Sequence, residues 1–467
     1  MLQEIGDQNW EYAHRLFQCV TAASRPLRVE ELAEFLAFDF STGSTPTFLD
    51  DWRSEDPAHT VLSTCSSLLA IVDMYSSSVI QFTHFSVKEY LMSKRLAKSK
   101  DTISRFHVSM VPAHTIVAQA CLGVLLHIDE TITEDDLKKF PLAKHAARHW
   151  VGHARFSDVS RNIEDGMKRL FDPDNRHLAV WVWIYDPESP ERIHERSRRP
   201  SEARATPLHY AAVCGIQDII KFLIVERSQD INARGFDRNE TPLGVASREG
   251  HSEVARVLLE HGADTESRDN DTYSPLERAS EEGHTEIVQV LLEHGADVKA
   301  VDDEVNVMAL HFASMFGRLA AARVLLEHGA DADAKSKDNQ TPLHQAENEG
   351  VARVLLEYGA DPNVHWQGED NRTPLHEALE CDRLEVARVL LENGANANVQ
   401  DSYNQTPLHL ASRKGCLDVV RLLLQRCSNI HAQDDEGRTP FQVASVRGHE
   451  EVMRLLLEHG AKDHRTQ

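Results

Sequence analysis

The sequence predicts a mainly α-helical chain: an α-solenoid of stacked helical pairs in its second part, preceded by a small α+β domain and a helical bridge. Three observations carry that prediction. A four-residue motif recurs eight times after residue 200 at a nearly constant period. Composition changes at the same point: residues 1–200 hold 23 Lys/Arg, 28 Asp/Glu and most of the aromatics, whereas residues 201–467 hold 27 Lys/Arg against 46 Asp/Glu. The first hundred residues pass from helical spacing to a pair of apolar β-segments around a serine turn. Two architectures are joined in one chain of 467 residues.

In chain order, residues 8–24 place Tyr12, Leu16, Phe17 and Val20 at helical spacing, and Pro26 ends that helix. A second helix is expected over Val29–Leu36, a polar loop over 39–56 and a third helix over Pro57–Leu69. Leu69–Met74 and Val79–Phe85 then flank Ser76, Ser77 and Ser78 as a β-hairpin, followed by a helix at Val87–Ser93. Three helices and a β-wing define a winged-helix-like domain over 1–100. Residues 101–186 read as a helical bridging region, and the polar, Pro-containing stretch 187–203 as a linker.

The repeats occupy 204–465 as eight units, with tetrads starting at Thr206, Thr241, Ser274, Met308, Thr341, Thr373, Thr406 and Thr439. Thr caps a helix N-terminus and Pro suits the first helical position, where its missing N–H has no partner to lose. Leu208, Ala211 and Ala212 give a narrow apolar stripe, Gly215 ends the first helix, and a second helix closes at a His-Gly-Ala-Asp such as His261–Asp264. One unit cannot bury its apolar face alone, but stacked neighbours form a continuous core. Asp382 stands where other units have Gly. The fifth unit lacks about three residues, placed between Gly350 and Val351, so its second helix is expected to begin late; the next hairpin is about two residues longer and carries Trp366.

This tetrad and period resemble ankyrin repeats. The strings RLFQCVTAASRPLRVEELAEFLA, STCSSLLAIVD and IQFTHFSVKEYL resemble the winged-helix segment, named after GPI inositol-deacylase, that follows the NACHT nucleotide-binding domain in fungal NLR-like proteins. That resemblance implies a NACHT domain that hydrolyses ATP or GTP and drives oligomerisation, and repeats that sense a target. The sequence contains no G-x-x-x-x-G-K-[ST], so the phosphate cradle of such a domain is missing from it. The expectation is therefore the C-terminal part of a receptor, either naturally short or part of a longer product.

Chemistry is excluded on several counts. A net charge of −24 repels phosphate backbones and anionic membranes, and the third helix holds no Lys or Arg for reading DNA. No apolar run approaches the ~20 residues of a membrane span. The first ten residues lack the apolar core of a secretory signal, and seven scattered cysteines form no C-x-x-C pair, which fits a reducing, cytoplasmic setting. No H-E-x-x-H or G-x-S-x-G occurs, so no catalytic, cofactor-binding or metal residue is assigned. Of 26 histidines, twelve sit in repeated slots of the units and read as structural, and the Asp302–Asp303 pair reads as solvated hairpin charge.

Binding surfaces remain. Positions seven and eight after each Thr are expected to face a concave groove, giving an acidic stretch at Glu281 and Glu282, an apolar patch at Met315 and Phe316, and a basic end at Arg413, Lys414 and Arg447. Phe236, Tyr273, Trp366 and Tyr403 are candidate hairpin anchors. The sequence thus points to a non-enzymatic module that binds proteins through its repeats, with a NACHT half supplied in cis or in trans, and without nucleic acid or membrane. A free-standing ankyrin adaptor or decoy stands as the alternative, and an enzyme with an unrecognised site as the third reading.

Overall fold

Helix α1 (Trp10–Ala22) follows from its spacing: Leu16, Phe17 and Cys19 are fully buried while Glu11 and Tyr12 face solvent. The computed structural model describes residues 2–42, 45–65, 68–74, 77–156, 158–191, 203–301, 307–368 and 370–462. The Asp302–Asp303 pair and residues 192–202 of the expected linker lie outside these. Contacts divide the chain into two compact units, Met1–Asp237 and Arg238–Gln467.

In the first unit, α2 (Val29–Glu34) is capped by an ion-pair box, with Glu31 accepting from the Arg28 backbone at 2.8 Å and from Arg25 at 2.6 Å. Burial opposes ionisation of Glu31, but these donors outweigh it and hold its carboxyl below the ordinary range. The expected loop over 39–56 is more ordered than its polarity suggests. It opens on a two-residue strand β1 (Phe38–Asp39) paired antiparallel with β2 (Thr47–Phe48), because Phe38 is buried against Phe48 at 5.0 Å. Helix α3 (Pro57–Cys65) is shorter than expected. It buries Val61 and Cys65 and leaves the opposite face, including Leu62, exposed, so it is an amphipathic packing helix. The wing pairs β3 (Leu69–Met74) with β4 (Ser77–Phe82), and Leu27 and Arg28 add a bridge to its edge. Helices α4 (Phe85–Leu91) and α5 (Lys94–Ala97) complete the domain, capped by His84 and Ser93.

The bridge is built on α6 (Met110–His127), apolar all round and packed between α1 and later helices. By length and composition alone it is apolar enough to cross a membrane, yet over half of it is buried inside this unit, as in a core helix. Short α7 (Glu134–Leu137) leads to α8 (Ala143–Ala154), then α9 (Val159–Asn162), α10 (Glu164–Phe171) and α11 (His177–Ile184). Trp150, Phe171 and Trp181 meet here, with Trp150 and Trp181 edge to face at 5.5 Å and the Trp181 indole donating to the Ala147 carbonyl at 2.8 Å. The first repeat, α12 (Pro207–Cys214) and α13 (Gln217–Val225), belongs to this unit. Tyr210 packs on Trp181, α13 packs on α10, and Arg227 pairs with Asp172 at 2.6 Å. The compact boundary therefore falls at Asp237, one repeat beyond the expected start at 204.

The second unit holds seven more helical pairs, from Pro242–Glu249 with Ser252–Glu260 to Pro440–Arg447 with Glu450–Glu458. Between the two helices of each pair but that of the fifth repeat, the chain passes through a left-handed residue, as at Gly283 (φ 81°), Gly317 (67°), Gly415 (76°), and Asp382 (60°) where Gly is absent. At Gly283 a Cβ would also sit 2.7 Å from the Arg318 side chain of the next repeat. Gly283→Ala is expected to cost about 1–3 kcal/mol from strain alone; a lowered urea midpoint with unchanged helix content at zero denaturant would show it.

The fifth repeat corrects the sequence reading. Its first helix is cut to Pro342–Gln345, while its second, Glu349–Glu357, keeps the nine residues of its neighbours. The missing residues come from the end of the first helix and its turn. Gly350 lies inside the second helix, and Asn348 caps that helix by accepting from Val351 N–H at 3.0 Å.

Candidate protein-binding surface

The tetrad histidines tie each repeat to the next. In His376, Nδ1 accepts from the Thr373 backbone N–H at 3.3 Å and lies 2.8 Å from its hydroxyl, while Nε2 reaches the Gln405 carbonyl at 3.2 Å. His409 repeats this with Thr406 and Arg438, His344 with Thr341 and Arg372, and His311 with Met308 and Gln340. A carbonyl only accepts and an N–H only donates, so each ring is neutral with its proton on Nε2. Burial drives their proton affinity down, to about 4 in His344 and His376. In the third repeat Glu277 takes the histidine's place by accepting from Ser274 N–H, and Arg268 bridges from it to the Val301 carbonyl.

A second set of bonds lines up the turns between helices. In four repeats the carbonyl seven residues after the first residue of the tetrad accepts from the following repeat: Arg248 from His284 Nε2 at 3.1 Å, Glu281 from Arg318 Nε at 2.8 Å, Glu380 from Lys414 Nζ at 3.0 Å, and Arg413 from His449 Nε2 at 3.0 Å. These turns form a continuous row along the second unit. Arg–carboxylate networks stiffen its hairpins. Arg278, almost wholly buried, holds Asp269 at 2.6 Å, Asp271 at 2.8 Å and Glu281 at 3.2 Å, and stacks 3.9 Å over Tyr273.

Against this frame the candidate residues separate. Glu282, Met315, Phe316, Tyr403 and Arg447 are exposed. Tyr273 is half-buried beneath Arg278 and against Phe312. Trp366 is half-buried and folded over Gly368 of its own hairpin. In the first unit, Phe236 packs edge-on to Tyr210 at 5.1 Å and serves the interior of its own repeat. The expected basic end is the clearest correction. Arg413 is ion-paired with Glu380, and Lys414 holds Asp382 at 3.1 Å, so both charges are spent on the preceding repeat. Glu281 is likewise held by Arg278.

Among the described residues no cluster of three or more His, Cys, Asp or Glu has the arrangement of a metal site. Cys19, Cys65 and Cys121 are buried thiols pushed up by desolvation, the opposite of an activated nucleophile.

Comparison with known proteins agrees with this construction. Residues 234–302, 301–366, 358–434 and 394–467 match the family described as ankyrin repeats (3 copies), and residues 204–236 match the single ankyrin repeat. The chain belongs to the ankyrin-repeat family. Residues 2–104 match the GPI inositol-deacylase winged helix domain. Azaphilone pigments biosynthesis cluster protein L of Monascus ruber is 30% identical over 269 residues, covering 54% of this chain and 55% of that protein. Palmitoyltransferase ZDHHC13 of Homo sapiens is 36% identical over 77 residues, 16% of this chain and 12% of the enzyme. The chain thus spans about half the length of the Monascus protein and a small part of the palmitoyltransferase. Among solved structures, the ankyrin repeat domain of Bcl-3 aligns with TM-score 0.42 at 28% identity, and that of human ASB11 with TM-score 0.43 at 26%; each alignment covers 48% of this chain and all of the other. An ankyrin array of this kind is a protein-interaction scaffold.

Proposed function

We propose that this protein is a non-enzymatic, cytoplasmic interaction module that grips partner proteins along the row of inter-helix turns and at the hairpin tips. In this reading it is the sensing and regulatory part of a fungal NLR-like receptor. The winged helix and bridge relay to or restrain a nucleotide-binding NACHT half, which acts with it in cis or in trans. One observation carries the reading. Buried positions repeat from unit to unit, whereas exposed ones change from Glu282 to Phe316 to Arg447, as a surface fitted to a particular partner requires.

Affinity capture of the full chain from extract of its own cells tests it, compared with the triple variant Glu282→Lys, Tyr403→Ala, Arg447→Glu. All three residues are exposed, so folding is expected to survive. At least tenfold less of the specific partners is expected on the variant. Equal capture would contradict binding through this surface.

A further inference from the structure

We propose that Met315, Phe316 and Leu319, beside the shortened first helix of the fifth repeat, form the seat for an apolar side chain carried on a basic peptide segment of the partner. This rests on the reading above and specifies the partner's chemistry.

The seat arises from the deletion. The first helices of the fourth and sixth repeats run to Met315 and Glu380, but that of the fifth stops at Gln345. The short turn that replaces its last residues is pinned against the fourth repeat: Glu347 N–H donates to the Ser314 carbonyl at 3.1 Å and Asn348 Nδ2 to the Gly317 carbonyl at 3.0 Å. In the seventh repeat, by contrast, the side chain seven residues after the Thr is engaged within the row, Arg413 on Glu380. Met315 and Phe316 are left 39% and 42% exposed, and Leu319, against Gly350, 41%. Three large apolar side chains within five residues are thus open to solvent, where surface apolar groups are ordinarily scattered.

Charge selects the occupant. Glu281, Glu282, Glu347 and Glu349 come from the repeats on either side. Glu281, Glu347 and Glu349 are paired with Arg278, Arg383 and Arg388, and Arg318 keeps its charge while donating to the Glu281 carbonyl, so the acidic excess that selects the occupant is that of the array as a whole. Over residues 238–467 there are 23 Lys and Arg against 41 Asp and Glu. Such a field draws in a cationic segment and repels an acidic one.

A random 16-residue peptide library displayed on phage, selected against the full chain, is the probe. The expected outcome is enrichment of peptides with Lys or Arg flanking one Leu, Met or Phe. The synthetic form of the best peptide should bind at least tenfold more weakly to Met315→Ser/Phe316→Ser and weaken with added salt. A Leu457→Ser variant, changed at an exposed apolar position on the second helix of the eighth repeat, away from the row of turns, should bind it unchanged. Circular dichroism melting verifies that each variant is folded. Acidic enriched peptides, no enrichment, or equal affinity for Met315→Ser/Phe316→Ser would overturn the proposal. Native partners that still depend on Glu282, Tyr403 and Arg447 would in that case leave the broader binding role standing.

Discussion

Acidification from pH 7 to pH 5 is expected to destabilise the repeat array steeply, and replacing His344 and His376 by glutamine is expected to flatten that dependence. Both rings accept a backbone N–H at Nδ1, so protonation sets a donor against a donor inside the core. Their folded proton affinities lie near 4, below the ordinary 6.5, chiefly through burial. For such a base the unfolded chain takes up protons first. Stability is therefore complete above pH 6.5 and falls as pH drops from there toward 4. Each ring contributes a slope of at most about 1.4 kcal/mol per pH unit in that window. Glutamine keeps the cap without the titration, as Gln442 does in the eighth repeat by accepting from Thr439 N–H at 2.8 Å. Urea midpoints by circular dichroism, taken every half pH unit, read the slope. Identical slopes in the wild type and the His344→Gln/His376→Gln variant would refute the assignment.

Trp181→Ala is expected to cost about 3–5 kcal/mol, the range for removing a large, fully buried aromatic. Trp181 touches Trp150, Phe171 and Tyr210, so its loss opens a cavity in the bridge and unseats the first repeat from it. It also strands the Ala147 carbonyl. Limited proteolysis should show cleavage within α12 and α13 at protease levels that leave these helices of the wild type intact, and thermal melting should show the early loss of the first unit. Trp181→Phe, which keeps most of the volume, should lose clearly less. Unchanged proteolysis in Trp181→Ala would mean that the aromatic cluster does not hold this repeat in place.

The repeats were legible in the sequence because each Thr-Pro-Leu-His places a cap, a first-turn residue, a core residue and a buried hydrogen-bonding ring at fixed offsets. The winged helix was legible from Leu16, Phe17 and the serine-turn hairpin. What the sequence hid lies between units. Gly350 looked like an inter-helix glycine because the pattern aligns glycines, whereas Asn348 is the cap that sets the frame. Arg413 and Lys414 looked free because Glu380 and Asp382 stand more than thirty residues earlier and meet them only after stacking. The strands at Phe38–Asp39 and Thr47–Phe48 are two residues each, too short for any periodicity, and depend on Phe38 burying itself. Phe236 carried no sign that Tyr210 would claim it.

Hydrogen–deuterium exchange of the full chain, with and without a captured partner, tests the central claim most directly. Binding by the array predicts slowed exchange in the inter-helix turns and hairpins of residues 238–462, strongest around 312–320 and 346–350, with the winged helix unchanged. Protection confined to residues 2–104, with the repeats untouched, would contradict it.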